Sequence, residues 1–141
     1  MAEKESQTSF KIVVVTPEKK YIEEDVYIVL LPAAKGYLSA MKGHLPLISS
    51  IKPGILEFLG KKRSQILYVE GGFVQILPQT VTVLAEKVEF IEDLNIEEVK
   101  RLKIEAEEKL KSATDEDETL FIRYEEAISK LYILEKKHFV L

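Results

Sequence analysis

His44 lies in a stretch that also carries Ser39, Ser49 and Ser50, and a serine activated by an imidazole is one machinery for acyl transfer. That chemistry also needs a carboxylate to orient the imidazole, and none is identifiable there. His44 therefore reads as a turn or interface residue. With no cysteine and only one other, distant histidine, His138, the chain has no route to thiolate catalysis, disulfides or most structural zinc sites. The carboxylates Asp115 to Glu118 lack the spaced ligands and the glycine of a calcium loop, and they suit the solvated first turn of a helix. No G-x-S-x-G elbow, H-E-x-x-H pair or G-x-x-x-x-G-K-[ST] loop is present. Gly71-Gly72 falls between two expected strands, which makes it a bulge or close turn, not a dinucleotide fingerprint. The segment Leu31 to Gly54 thus offers turn residues, apolar positions and one histidine without a catalytic group, the composition of a recognition surface.

The elements that position this surface follow from patterning. The chain has 141 residues, 46% hydrophobic and 31% charged, with no apolar run near the ~20 residues that cross a bilayer. Its first residues, MAEKESQTS, lack the apolar core of a secretory signal, so a cytoplasmic protein is expected. The 24 acidic and 20 basic side chains divide as 11 and 11 up to residue 92 and as 13 and 9 beyond it. Hydrophobic periodicity changes at the same place, which sets an expected boundary between residues 1–92 and 93–141. Neither part has the basic stripe that phosphate neutralisation requires, so nucleic acid is not an expected partner.

In the first part, short β-branched and aromatic runs stand between Pro and Gly punctuation: Phe10 to Val15, Val26 to Leu31, Ile55 to Phe58, Gln65 to Val69, Phe73 to Leu77 and Thr80 to Leu84. Alternation such as Val26, Ile28, Leu30 or Val81, Val83 predicts strands with one buried face. Many short strands without strand-helix-strand alternation predict an all-β sandwich or flattened barrel. The second part has helical spacing. Ile96, Val99, Leu102, Ala106, Leu110 and Ala113 form a stripe of ~120° at 3.6 residues per turn, and Asn95 with Glu98 resembles a capping pair. A polar run, Ser112 to Glu118, separates it from a second helix that Thr114 or Asp115 would cap, which predicts an antiparallel α-helical hairpin. That second helix carries more apolar surface than two helices hide: Leu120, Tyr124, Ala127, Leu131 and Leu134 form one stripe, widened by Phe121, Ile128 and Tyr132. The surplus predicts that the hairpin folds onto the sandwich, has a second docking partner, or does both by turning on a hinge near Glu89 to Asp93.

Several motifs then occur in order: Val15-Thr16-Pro17-Glu18, Leu31-Pro32, Gly36-Tyr37-Leu38, Gly43-His44-Leu45-Pro46-Leu47, Ile51-Lys52-Pro53-Gly54, Val69-Glu70-Gly71-Gly72-Phe73-Val74 and Val81-Thr82-Val83-Leu84-Ala85-Glu86. In order and spacing, and with two helices after them, the chain resembles the epsilon subunit of bacterial F-type ATP synthases nearly end to end. The motifs are specific in the strands and only compositional in the helices. The resemblance implies a non-catalytic rotor subunit, peripheral at the cytoplasmic face of the bacterial inner membrane. Its sandwich would pack on the gamma subunit while lower loops rest on the c-subunit ring. It assigns the ring contact to Gly36, Tyr37, Leu38, Met41, Lys42, Gly43 and His44. Here Tyr37 stands where an acidic residue is common, Ala34 where glycine is usual and Lys42 where proline is usual.

The resemblance also implies a regulatory hairpin, permissive for ATP hydrolysis when folded on the sandwich and inhibitory when extended along gamma into the alpha/beta catalytic head. Phe121, Tyr124, Ile128, Leu131 and Leu134 would exchange their cover between those states. Some family members bind ATP through [IL]-D-x-x-R-A at the start of the first helix. The matching stretch is Leu94-Asn95-Ile96-Glu97-Glu98-Val99, where Asn95 replaces the acid and Glu98 reverses the arginine's charge. Glu89 and Arg123 match other nucleotide positions, and Lys130 offers a second cation. A carboxylate where a cation should meet triphosphate predicts weak or absent ATP binding and no required cofactor. Three readings stand at this stage: a rotor and regulatory subunit, an ATP-sensing module, and a free-standing adaptor.

Overall fold

A computed structural model describes residues 8–91, 95–112 and 118–136. Nine strands, β1 (Phe10–Val15), β2 (Lys20–Ala33), β3 (Gly36–Ala40), β4 (Leu47–Ser50), β5 (Gly54–Gly60), β6 (Ser64–Glu70), β7 (Phe73–Leu77), β8 (Thr80–Leu84) and β9 (Lys87–Phe90), precede two helices, α1 (Ile96–Ser112) and α2 (Glu118–Lys136). The strands form one sheet in the order β4-β7-β8-β1-β2-β5-β6-β9, with β3 also on β2. All neighbours are antiparallel except β1 and β8.

The sheet doubles over because β2 is long. Its first part pairs with β1, from Phe10↔Val26 to Val15↔Lys20, and its second part lies between β3 and β5. Ile12 and Val14 of β1, Val74 and Ile76 of β7 and Val81 and Val83 of β8 then meet Leu56 and Phe58 of β5 and Leu67 and Val69 of β6 in one core. Alternation is clean on β7 and β8, whose other face is open, whereas Gly54 to Phe58 is buried throughout because α2 covers the far side of β5 and β6. The expected sandwich is therefore the observed one.

All six expected strands form. β2 begins at Lys20 instead of Val26, and β3, β4 and β9 are additional. The early half of β2 is polar at its exposed positions and is secured by its pairing with β1, a non-local cause invisible to periodicity. β3 and β4 lie inside Leu31 to Gly54, so that segment is a strand, a turn and an edge strand, not one loop. The pair Gly71-Gly72, with φ of +72° and +86°, joins β6 to β7 across the layers, and a Cβ on Gly72 would collide with the Leu84 carbonyl.

Asn95 Oδ1 accepts from the Glu97 and Glu98 N–H groups at 3.0 and 3.3 Å, so the expected cap on α1 is present. Glu107 of α1 meets Tyr124 of α2, while Val99, nearer the start of α1, clusters with Ala127 and Leu131 farther along α2, so the helices are antiparallel. The α1 stripe is only partly buried. Val99 and Ala106 are covered, but Ile96 and Leu102 are exposed, because α1 rests on α2 and not on the sheet. The expected boundary at residue 92 and the Thr114 or Asp115 cap lie outside the described residues. Of the expected hinge, Glu89 and Phe90 are held in the β9 ladder opposite Tyr68 and Leu67.

Candidate functional site

The seven residues assigned to a ring contact fall into two groups along β3. Gly36, Tyr37 and Leu38 belong to β3, beside the Ala34-Lys35 turn, where Ala34 N–H donates to Ser49 Oγ and Lys52 N–H donates to the Pro32 carbonyl. Met41, Lys42, Gly43 and His44 follow β3 at its other end, where Gly43 N–H donates to the Pro78 carbonyl. At about 3.3 Å per residue, Leu38 and Met41 lie roughly 10 Å apart along the chain. Tyr37 is exposed on one flank, but its hydroxyl accepts the Ile55 N–H at 2.9 Å. Burial raises its pKa against that hydrogen bond, and Glu125 of α2 adds to the rise. Phe121, Tyr124 and Ile128 of α2 line the same cleft as Tyr37 and Pro53. His44 donates from Nδ1 to the Leu45 carbonyl at 2.6 Å, and Ser49 Oγ donates to the Ser50 carbonyl. These groups stabilise turns and are not aligned for proton transfer.

The first sheet layer leaves its outer face open. Phe73, Gln75 and Leu77 of β7 point there, opposite Leu84, Thr82 and Thr80 of β8. Phe73 is 59% exposed, Ile48 on the edge strand 70%, and Leu84 and Leu77 also face solvent, so apolar side chains extend from β4 across β8. Clustered exposed hydrophobes of this kind mark a contact surface. Strand alternation carried this signal, since Phe73 and Leu84 sit out of phase with the buried Val74 and Val83.

The second layer is covered by α2. Tyr68 and Ile55 are buried there, and Lys130, only 4% exposed, lies over the Tyr68 ring at 4.7 Å. Lys130 Nζ contacts Glu89 at 2.5 Å and Glu126 at 2.6 Å, while Lys87 contacts Glu126 at 2.7 Å and Glu89 at 3.3 Å. Burial opposes the Glu126 charge, but hydrogen bonds from Lys130 and Lys87 outweigh it and hold the carboxyl below its usual range. Burial likewise disfavours the Lys87 ammonium, and the bond to Glu126 overcomes this and raises its pKa. Tyr68 is pushed far up by burial, then by Glu126 and by its bond to Glu70. Of the expected nucleotide residues, Lys130 thus meets Glu89 directly. Arg123 lines, with Lys130, Lys87 and Glu126, a cavity of about 290 Å³ between the helices. Asn95 spends its side-chain oxygen on the α1 cap, and Val99 is packed against Ala127. Of the expected hairpin residues, Leu131 is buried, Tyr124 is half-buried, Phe121 and Ile128 are largely exposed, and the Leu134 side chain lies outside the described residues.

A two-layer sheet with one apolar face open and a helical hairpin docked on the other is the architecture of an assembly subunit. Residues 9–91 match the model of the ATP synthase delta/epsilon chain β-sandwich domain. The chain is 33% identical over 114 residues to the ATP synthase epsilon chain of Pelagibacter ubique, covering 80% of this chain and 88% of that one. It is 37% identical over 100 residues to that of Desulforapulum autotrophicum, covering 69% and 73%. Its fold matches a chain in the Euglena gracilis mitochondrial ATP synthase structure containing OSCP, F1 and the c-ring, with a TM-score of 0.72 at 20% identity over 92% of this chain and 81% of that one. The chain belongs to the ATP synthase epsilon chain family, whose members are non-catalytic subunits of that complex. No helix among the described residues is long and apolar enough to cross a membrane.

Proposed function

We propose that this chain is a central-stalk subunit that couples rotation of the c-ring to the gamma shaft, at the cytoplasmic face of the bacterial inner membrane. The observation that carries the reading is the open apolar face bearing Ile48, Phe73, Leu77 and Leu84. A face of that kind suits a partner that covers it permanently, and gamma is that partner. Met41, Lys42 and the exposed Leu45 run into β4 at the edge of this face and extend the gamma contact. The turn Ala34 to Tyr37, small and polar apart from its tyrosine, is left to meet the ring. Phe73→Glu abolishes co-purification with gamma on this reading, and retention of gamma by that variant overturns it.

The hairpin regulates hydrolysis by leaving the sandwich for the alpha/beta head. Support comes from Phe121, Ile128 and Tyr132, which stay largely exposed in the docked form and so have surface to offer a second partner. Removing the residues after Asp93 raises ATP hydrolysis by the assembled complex, and an unchanged rate counts against the regulatory role. ATP itself binds weakly or not at all. Lys130 and Lys87 are already neutralised by Glu89 and Glu126, and Glu105 and Glu126 both line the cavity that Arg123 faces. Titration of the isolated protein decides, with a micromolar constant as the contrary result.

A further inference from the structure

Four charges join α2 to the sandwich, and their arrangement in sequence matters more than their number. Glu126 and Lys130 are one turn apart on α2 and pair with each other. Lys87 and Glu89 are two apart on β9, on the same side of the strand, and also pair. The remaining contacts run crosswise, Lys130 to Glu89 and Lys87 to Glu126. Beneath them Tyr68 offers its ring to both ammonium groups, at 4.7 and 5.9 Å, and keeps its hydroxyl on Glu70 of its own strand. A buried ion pair that loses one partner is costly, because the remaining charge is stranded. Separation here strands none: the helix leaves with its own pair and the strand keeps its own.

We propose that this quartet is a reversible clasp that sets how much of the hairpin is docked, an inference that rests on the reading of the hairpin as a moving element. The crosswise bonds hold the closed form. The two internal pairs are present in both forms, so opening costs only the crosswise bonds and stays within reach of a competing partner. Charges make the fit specific: α2 seats on β9 and β6 only where Lys130 reaches Glu89.

The chain lacks cysteine, so Lys62→Cys on the β5–β6 turn and Arg101→Cys on α1 give two unique labels in the full-length protein, and their separation reports docking. Lys130→Glu places a third carboxylate against Glu89 and Glu126 and lowers the ratio of docked to undocked protein on the order of a hundredfold. Adding Glu89→Lys rebuilds the crosswise bonds in reverse but leaves like charges side by side on each separated half. That double variant docks at least as tightly as the native chain. Persistence of the docked distance in Lys130→Glu, or failure of Glu89→Lys to restore it, overturns the clasp. The thermal transition of the sandwich, whose core contains no helix residue, confirms that each variant is folded. If Lys130→Glu opens the hairpin while hydrolysis by the assembled complex stays unchanged, the clasp is supported and the regulatory reading fails.

Discussion

The two outer faces of the sandwich differ in what lies on them, one open and the other carrying the hairpin. On β7 and β8 the exposed residues are Phe73, Leu77 and Leu84, and no element of the described chain lies on them. On β5 and β6 the chain supplies its own cover, joined to β9 by Lys87, Glu89, Glu126 and Lys130. Apolar contact has no direction and is lost only by exposing area to water, which favours permanence. Paired charges have solvated alternatives, which favours exchange. The difference fits the proposal of a fixed partner on one face and a movable one on the other.

The contrast breaks most severely if the shared core is hollowed. Phe58→Ala, at a side chain buried between the layers, costs about 3–5 kcal/mol and lowers the thermal midpoint of the sandwich whether or not the hairpin is present. Phe73→Glu and Leu84→Glu sharpen it. Each leaves the isolated protein's stability within about 0.5 kcal/mol, yet each weakens binding to gamma by about 2 kcal/mol or more in a titration. Asn95→Ala removes the α1 cap and costs about 1 kcal/mol, read as a loss of helical signal with the sandwich transition unmoved.

The smallest effect is the dependence on pH. Glu126 is held below its ordinary value of 4.5, so its contribution to docking is complete above that pH and is lost as pH falls further below it. Lys87 is raised above 10.5, so its contribution is complete below that pH and is lost as pH rises through the folded value. The label separation therefore stays constant through neutrality and lengthens at both extremes. The stability of the open apolar face is indifferent to both.

Strands whose alternation is set by the core, such as Val81 and Val83 or Val74 and Ile76, were legible in the sequence, because burial of one face dictates residue type locally. β3 and β9 were not legible. GYLSA closes a tight hairpin on β2 but carries no β-branched residue, and KVEF is held by β6, a partner distant in the chain. The Asn95 cap could be read from a few adjacent residues. The position of Tyr37 could not, because a hydrogen bond to Ile55 reaches across the sheet. Lys130 was visible as a cation, but its destination was hidden. The i,i+4 spacing of Glu126 and Lys130 and the Lys-x-Glu of β9 are each commonplace, and only the fold sets one upon the other.

β2 has one further consequence. Its 14 residues run without interruption from the ladder with β1 into the ladders with β3 and β5. A force directed along β2 loads the hydrogen bonds of those ladders in shear, so that many must yield together.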